Sequence, residues 1–484
     1  MPMGRAPCRG TSDDSVTPSL HPGVSLVVIC DGLDSDGAGV ADVRTDANLF
    51  RLHVAGALPG ERVRATVTHV SPHARAQSQD AWAGLQEIVT ASPERVTPPC
   101  PAHQRCGGCP LAVWAYSAQL EWKRGLVAAA LATQEGFPYQ LADVPVAACV
   151  PSPRPFRYRG NAKYVFGRDR DGGLVLGAYA PRSHEIVDMS GCPIGEPALA
   201  EVAAGLLTLL TKHGVAPFDE IRRTGLLRYV ILRANAEGKV LVALVTGRED
   251  WPGAEALARE LAAACPAVLG VVHNINSASG NTLLGESERT LFGSATIEDT
   301  IGSARVRLGA RSFAQANRLV AGRAYQDIVD AAARLGAIDR VVDAYSGAGG
   351  IALALAPMAR EVVAIEENLA ACATAQACIA ERGPGDPGAH IHFVTGDVAD
   401  HLGRVGKADV LVLNPPRKGC APAVIAAAAQ LHPRLVAYLS CNPTSLARDL
   451  AALARLGLRT VGITPYDMLA QTPHVEALAL VVSG

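Results

Sequence analysis

Two segments of this 484-residue chain carry side chains able to do covalent chemistry. Cys441 lies in Ser440-Cys441-Asn442-Pro443-Thr444, directly after the apolar run Leu435 to Leu439. A thiolate is a strong nucleophile once its pKa is lowered, and it is suited to add to an electron-poor ring carbon such as carbon 6 of a uracil. That addition makes carbon 5 an enolate carbon able to accept a methyl group. The carbon-5 proton must then leave, so a base is required. The tail from Tyr466 to Glu476 supplies carboxylates and His474. Cys372 and Cys378, in an alanine-rich stretch, read instead as small buried hydrophobes.

A second set of thiols is closely spaced. Cys100, Cys106 and Cys109 fall within ten positions, with Gly107 and Gly108 allowing a tight wrap and Pro110 following the last thiol. This resembles the spacing of iron–sulfur ligands, which need four thiolates. Cys192, in Ser190-Gly-Cys-Pro193, is the candidate for the fourth. Zinc is the rival metal for such a set.

A glycine-rich segment, Val341-Val-Asp-Ala-Tyr-Ser-Gly-Ala-Gly-Gly350, runs from a strand into a helix. Its glycines let the backbone turn sharply and approach a ligand, while the helix start offers free N–H groups. Glu366, past the next strand, is placed to hold two ribose hydroxyls. Gly347, Gly349 and Ala352 also satisfy a dinucleotide fingerprint, so a nicotinamide oxidoreductase stays open on these residues alone. Asn414-Pro-Pro-Arg-Lys-Gly419 follows the run Val410 to Leu413. Amino-group methyltransferases use Asn-Pro-Pro with an aromatic next; Arg417 stands there instead and disfavours that chemistry.

These segments need a scaffold. In open α/β sheets ligands bind at the carboxyl ends of strands, and from Arg311 onward apolar strands alternate with alanine-rich helices. Strand candidates are Val341-Val342, Val362 to Ile365, His392 to Val394, Val410 to Leu413 and Leu435 to Leu439. A C-terminal α/β doubly wound, Rossmann-like domain is therefore expected over 311–484. Residues 93–310 read as a central α+β domain holding the cysteines, with a helix from Leu111 to Thr133. Residues 22–92 have the short-strand cadence of an oligonucleotide-binding type of β-barrel. Residues 1–21 read as a disordered tail without a signal core. Arg154-Pro-Phe-Arg-Tyr-Arg159, with Lys163 and Tyr164, interleaves cations and aromatics suited to unstacked RNA.

The totals exclude several classes. Hydrophobic residues make up 49%, which fits packed domains rather than disorder. No apolar run approaches the roughly 20 residues of a membrane span. A formal net charge of −2 argues against coating nucleic acid through bulk positive charge. Twelve unevenly spaced cysteines without a secretory signal fit a reducing, cytoplasmic setting.

Taken together, the motifs resemble the RNA uracil-5-methyltransferase family, in its form with an N-terminal TRAM domain and an iron–sulfur cluster. They are Leu58-Pro-Gly-Glu61, the Cys-x5-Cys-x2-Cys run, Ser312-Phe-Ala-Gln-Ala-Asn317, Asp343 to Gly349, Asn414 to Gly419, Ser440 to Thr444 and Thr472-Pro-His-Val-Glu476. The resemblance implies S-adenosylmethionine as methyl donor, lined by Gln315, Tyr345, Gly350, Glu366, Asp397 and Asn414. It implies Cys441 as nucleophile and Glu476 as the base. It makes Cys100, Cys106, Cys109 and Cys192 ligands of a [4Fe–4S] cluster. The implied substrate is RNA, ribosomal (23S) first with transfer RNA as the alternative, and no membrane or obligate protein partner is expected. The Cys441–Glu476 pair weighs against both the oxidoreductase and a non-catalytic RNA-binding module. Two positions depart from the family pattern: Asn414 replaces Asp, and Leu469-Ala470 replaces Phe-Pro.

Overall fold

The computed structural model describes residues 19–46, 48–75, 78–134, 144–278, 282–383 and 385–484. Most of the expected N-terminal tail, residues 1–18, lies outside them. The chain forms two compact units. One comprises residues 1–97 with 110–115, the other residues 98–109 with 116–484.

The first unit is all-β. Its six strands form one sheet in the order Ser25–Ile29, Arg62–Arg75, Ser78–Thr90, Leu49–Ala55, Gly39–Arg44, Gly32–Leu33. The last two of these lie in the Asp/Gly-rich stretch that follows Ile29. Alternation places Phe50, Leu52 and Val54 inward with Val63, Ala65 and Val67. Glu61 is fully buried, accepting from the Leu58 amide at 2.9 Å and from Arg95.

The second unit contains two seven-stranded sheets. The central one runs Ser287–Gly293, Val268–Ile275, Val240–Thr246, Leu227–Ala234, Asn161–Arg168, Leu174–Tyr179, Ile186–Asp188. Helices Pro197–Lys212 and Ala254–Ala264 pack on one face with Val230, Leu232, Val242 and Leu244. The other face sends Ile231, Leu241, Ala243 and Val245 into a core shared with the C-terminal sheet. Burial on both sides explains why Val240–Thr246 is apolar throughout its first six residues. The hairpin Thr296–Ile301 with Ala304–Gly309 joins the same shared core. The expected single helix from Leu111 is divided: a short 3-10 turn, Pro110–Val113, precedes helix Tyr116–Ala132.

The C-terminal sheet has the order Ile391–Thr395, Ala359–Glu366, Ile338–Ala344, Val410–Leu413, Leu435–Ser440, Glu476–Ser483, Leu458–Tyr466. The five strands read from apolar runs are parallel, as expected of a doubly wound domain. The last two were not foreseen. Glu476–Ser483 runs antiparallel to both its neighbours, so the closing segment belongs to the sheet. Asn317, Asn368 and Asn442 each cap the following helix by accepting a backbone amide. Among the described residues no helix is long and apolar enough to cross a membrane.

Candidate active site

The glycine-rich loop leaves the Ile338–Ala344 strand at the carboxyl end of the sheet. Tyr345 takes a left-handed backbone at φ 63°, and Gly347 and Gly349 follow at 57° and 77°. A Cβ at Gly349 would stand 2.5 Å from the Phe393 ring, so glycine is required there by both conformation and space. Glu366 ties the loop down: one carboxylate oxygen accepts from the Gly347 amide and the other from the Asn368 amide, each at 2.8 Å. Each oxygen keeps a lone pair for a ligand.

A cleft opens beside this loop, lined by Gln315, Tyr325, Tyr345, Gly350 and Asn414 among others. Four of the six residues expected to hold the cofactor therefore converge. Glu366 adjoins through Gly347, whereas Asp397 is exposed outside the lining, capping a short helix through the Ala399 amide at 2.9 Å. Asp343, beneath the loop, accepts from the Ala352 amide at 2.9 Å. Its Oδ1 and the Ser346 hydroxyl are buried without partners among the described residues. Burial pushes the Asp343 carboxyl up to about 7. Ser346 lines the cleft, and its unsatisfied hydroxyl is what a polar ligand there would complete.

Two strands further along the sheet, the Leu435–Ser440 strand delivers Cys441 and the Glu476–Ser483 strand begins with Glu476. Ser440 pairs with Ala477, so Cys441 and Glu476 stand at facing ends of the two antiparallel strands. Burial pushes the Cys441 thiol up, the Glu476 charge adds to this, and Arg417 opposes it. Burial likewise pushes Glu476 up to about 7, again opposed by Arg417. Asn442 and Ser445 hold the Arg417 carbonyl at 3.0 and 3.1 Å, and the guanidinium lies 3.3 Å from His474. Tyr325, in the cleft lining, feels both Asp343 and Glu476, linking the two halves of the site.

Among the other tail groups, Asp467 is committed to a buried ion pair with Lys123 and is unavailable as a base. Sequence reasoning named Arg417 only as an argument against amino methylation and missed Tyr325 altogether. The Asn414-Pro-Pro-Arg motif was the one signal that pointed to Arg417.

The four expected metal ligands are brought near one another. Burial pushes the Cys109 thiol up to about 12, with further contributions from Cys192, Cys106 and Cys100. Cys109 and Cys192 pack around Tyr158, Ile194 and Ala470. All four are free of disulfides. Gly107 turns the chain at φ 67°, and a Cβ there would collide with Pro181. Among the described residues no group of three or more His, Cys, Asp or Glu side chains is arranged to hold a metal ion. The donor chemistry nevertheless suits one: burial and the neighbouring thiols push the Cys100 and Cys109 thiols up, and a cationic centre would favour their thiolates.

The arginine–aromatic stretch is corrected in part. Arg154, Arg157 and Arg159 are exposed, but Tyr158 and Tyr164 are buried core residues and cannot stack on bases. The Tyr158 hydroxyl instead donates to the Ala470 carbonyl at 3.0 Å.

Sheet order, glycine-rich loop and cleft define a methyltransferase, and residues 328–432 match the family model described as the Methyltransferase small domain. A protein of Halalkalibacterium halodurans called an uncharacterized RNA methyltransferase is 34% identical, over 94% of this chain and 96% of its own length. A namesake from Geobacter sulfurreducens is 35% identical, over 96% and 91% respectively. The chain belongs to this family of RNA methyltransferases. In fold it is similar to the Pyrococcus abyssi tRNA (uracil-54, C5)-methyltransferase solved with S-adenosyl-L-homocysteine. The TM-score is 0.72 at 23% identity, covering 94% of this chain and 100% of that one.

Proposed function

We propose that this enzyme methylates carbon 5 of a uracil in RNA through a covalent adduct on Cys441. The observation that carries the reading is the placement of a thiol and a carboxyl at facing strand ends, with Arg417 acting on both. A direct amino-group transfer needs no such pair.

Cys441 Sγ, as thiolate, bonds to carbon 6 of the ring, and the carbon 5–carbon 6 π electrons move to make carbon 5 nucleophilic. Gln315, Tyr345, Gly350, Glu366, Asp397 and Asn414 would hold S-adenosylmethionine, which when bound would supply the methyl group to carbon 5 and leave as S-adenosylhomocysteine. Glu476 as carboxylate then takes the carbon-5 proton, the ring double bond re-forms, and the Sγ–carbon 6 bond breaks to release the thiolate. A pKa near 7 lets Glu476 accept that proton and return it to solvent near neutral pH. Arg417 favours the charged form of both groups and so keeps the thiolate within reach.

The N-terminal β-unit serves as the TRAM domain of this reading, contributing to RNA binding. Cys100, Cys106, Cys109 and Cys192 would hold a [4Fe–4S] cluster, which would supply structural support, since the chemistry above transfers no electrons. The enzyme acts in the cytoplasm on ribosomal RNA. Transfer RNA is the second reading, favoured by the substrate of the Pyrococcus abyssi protein of the same fold.

RNA carrying 5-fluorouridine tests this. Fluorine cannot leave as a cation, so wild-type protein with cofactor should form a denaturation-resistant protein–RNA species whose mass includes one methyl group. Turnover without any trapped species would overturn the covalent reading.

A further inference from the structure

Between Tyr466 and Glu476, which pair with each other at the sheet edge, the chain makes a nine-residue excursion, 467–475. The strand from Glu476 is paired on both sides, and the excursion leads directly into its first residue. The contacts that hold the excursion come from far away in sequence. Lys123, on helix Tyr116–Ala132, makes an ion pair with Asp467 in which both side chains are fully buried. Its ammonium also donates to the Leu469 carbonyl at 3.1 Å. The Tyr116 hydroxyl donates to Asp467 Oδ2 at 2.6 Å and accepts from the Ser152 amide at 2.8 Å. Gln119 donates to Gln471 at 3.0 Å, one helical turn before Lys123. Gln471 itself is held at φ 69°, a conformation that a free loop would rarely keep.

Burying an ion pair costs desolvation that apolar packing would avoid, so it contributes little to stability for its own sake. What it does provide is a single geometry, because a charge left unpaired in that interior is strongly disfavoured. The excursion is thus held at 467, 469 and 471 by this helix, at 470 by Tyr158, and at 474 beside Arg417, before the strand carrying Glu476 begins.

We propose that Lys123 and Tyr116 are positioning residues for Glu476, acting through Asp467 and the Leu469 carbonyl. This rests on the covalent reading above, in which Glu476 serves only the last chemical step. Loosening the clamp slows proton removal and leaves adduct formation and methyl transfer in place.

The test uses the full chain, methyl-tritiated S-adenosylmethionine and total RNA from a strain lacking the gene. It measures the ratio of labelled protein–RNA adduct to released labelled RNA. Lys123→Met should raise that ratio ~10-fold or more, since displacements of an ångström or less can cost up to ~100-fold in a catalysed step. Tyr116→Phe, which removes one hydroxyl and is expected to fold, should raise it by a smaller factor. The paired change Lys123→Met with Asp467→Leu, which leaves no buried charge unpaired, should keep the raised ratio. The Kd for S-adenosylhomocysteine should match wild type in all three. An unchanged ratio, with activity falling only as the folded fraction falls, would overturn the positioning role. Glu476→Gln is run alongside: if it gives no adduct, the covalent reading itself fails, which is a different outcome from adduct in Glu476→Gln alone.

Discussion

Cys441 and Glu476 face each other one residue beyond the Ser440–Ala477 pair, where two antiparallel strands of the sheet reach the catalytic end. Their electrostatics are unfavourable together, since the Glu476 charge pushes the Cys441 thiol up. Arg417 relieves both groups. Arg417 thus offsets part of the shift that burial imposes on both groups.

Removing that cation has a signed consequence. Arg417→Ala should raise the pKa of both groups and move the pH–rate profile of adduct formation toward alkaline pH. At pH 7 the rate should fall by roughly tenfold, equivalent to about 1.4 kcal/mol, and recover partly at pH 9. Trapping rates on 5-fluorouridine RNA across pH 6–9 check this. A uniform loss at every pH would assign Arg417 to RNA binding instead.

The buried carboxyl should also be visible in stability. Glu476 titrates at about 7 when folded, above the 4.5 of an ordinary glutamate. The folded state therefore holds this proton more tightly. Its contribution is fully present below pH 4.5 and is lost as pH rises through about 7. Glu476→Gln removes the titration, so the variant should gain on wild type with rising pH, by up to about 3 kcal/mol at pH 9. Thermal unfolding of both proteins at pH 5 and pH 8 measures this. A Tm difference independent of pH would contradict the burial argument.

The cysteine group makes a compositional prediction. Protein purified without oxygen should be brown, with broad absorbance near ~400 nm and about four iron atoms per chain. Cys109→Ser should lose the iron and lower Tm. One tightly bound zinc in place of iron would reassign the thiols to a zinc site.

The inner parallel strands were readable because each is buried on both faces over a continuous apolar run; Val410–Leu413 coincides with its expected limits, whereas the edge strand Ile391–Thr395 is only half-buried. The closing strands were not readable. Glu476–Ser483 is also largely buried, but the polar loop before it led the whole segment to be read as a tail carrying carboxylates. Tyr158 and Tyr164 looked like stacking platforms because alternation with arginine marks a two-faced segment without saying which face is core. Cys441 was legible from its strand-end position. That Arg417 reaches it depends on the pairing of strands over 20 residues apart in sequence, which no local pattern records. The Lys123–Asp467 contact spans 344 residues and was equally out of reach.

The most direct test of the account is the fate of label in two substitutions. With methyl-tritiated S-adenosylmethionine and substrate RNA, Glu476→Gln should accumulate a labelled protein–RNA species that survives denaturing electrophoresis, because methyl transfer proceeds and the carbon-5 proton has no acceptor. Cys441→Ala should give neither that species nor labelled RNA, while binding S-adenosylhomocysteine as wild type does. Full methylation by Cys441→Ala would contradict nucleophilic catalysis at this site and return direct amino-group methylation as the reaction.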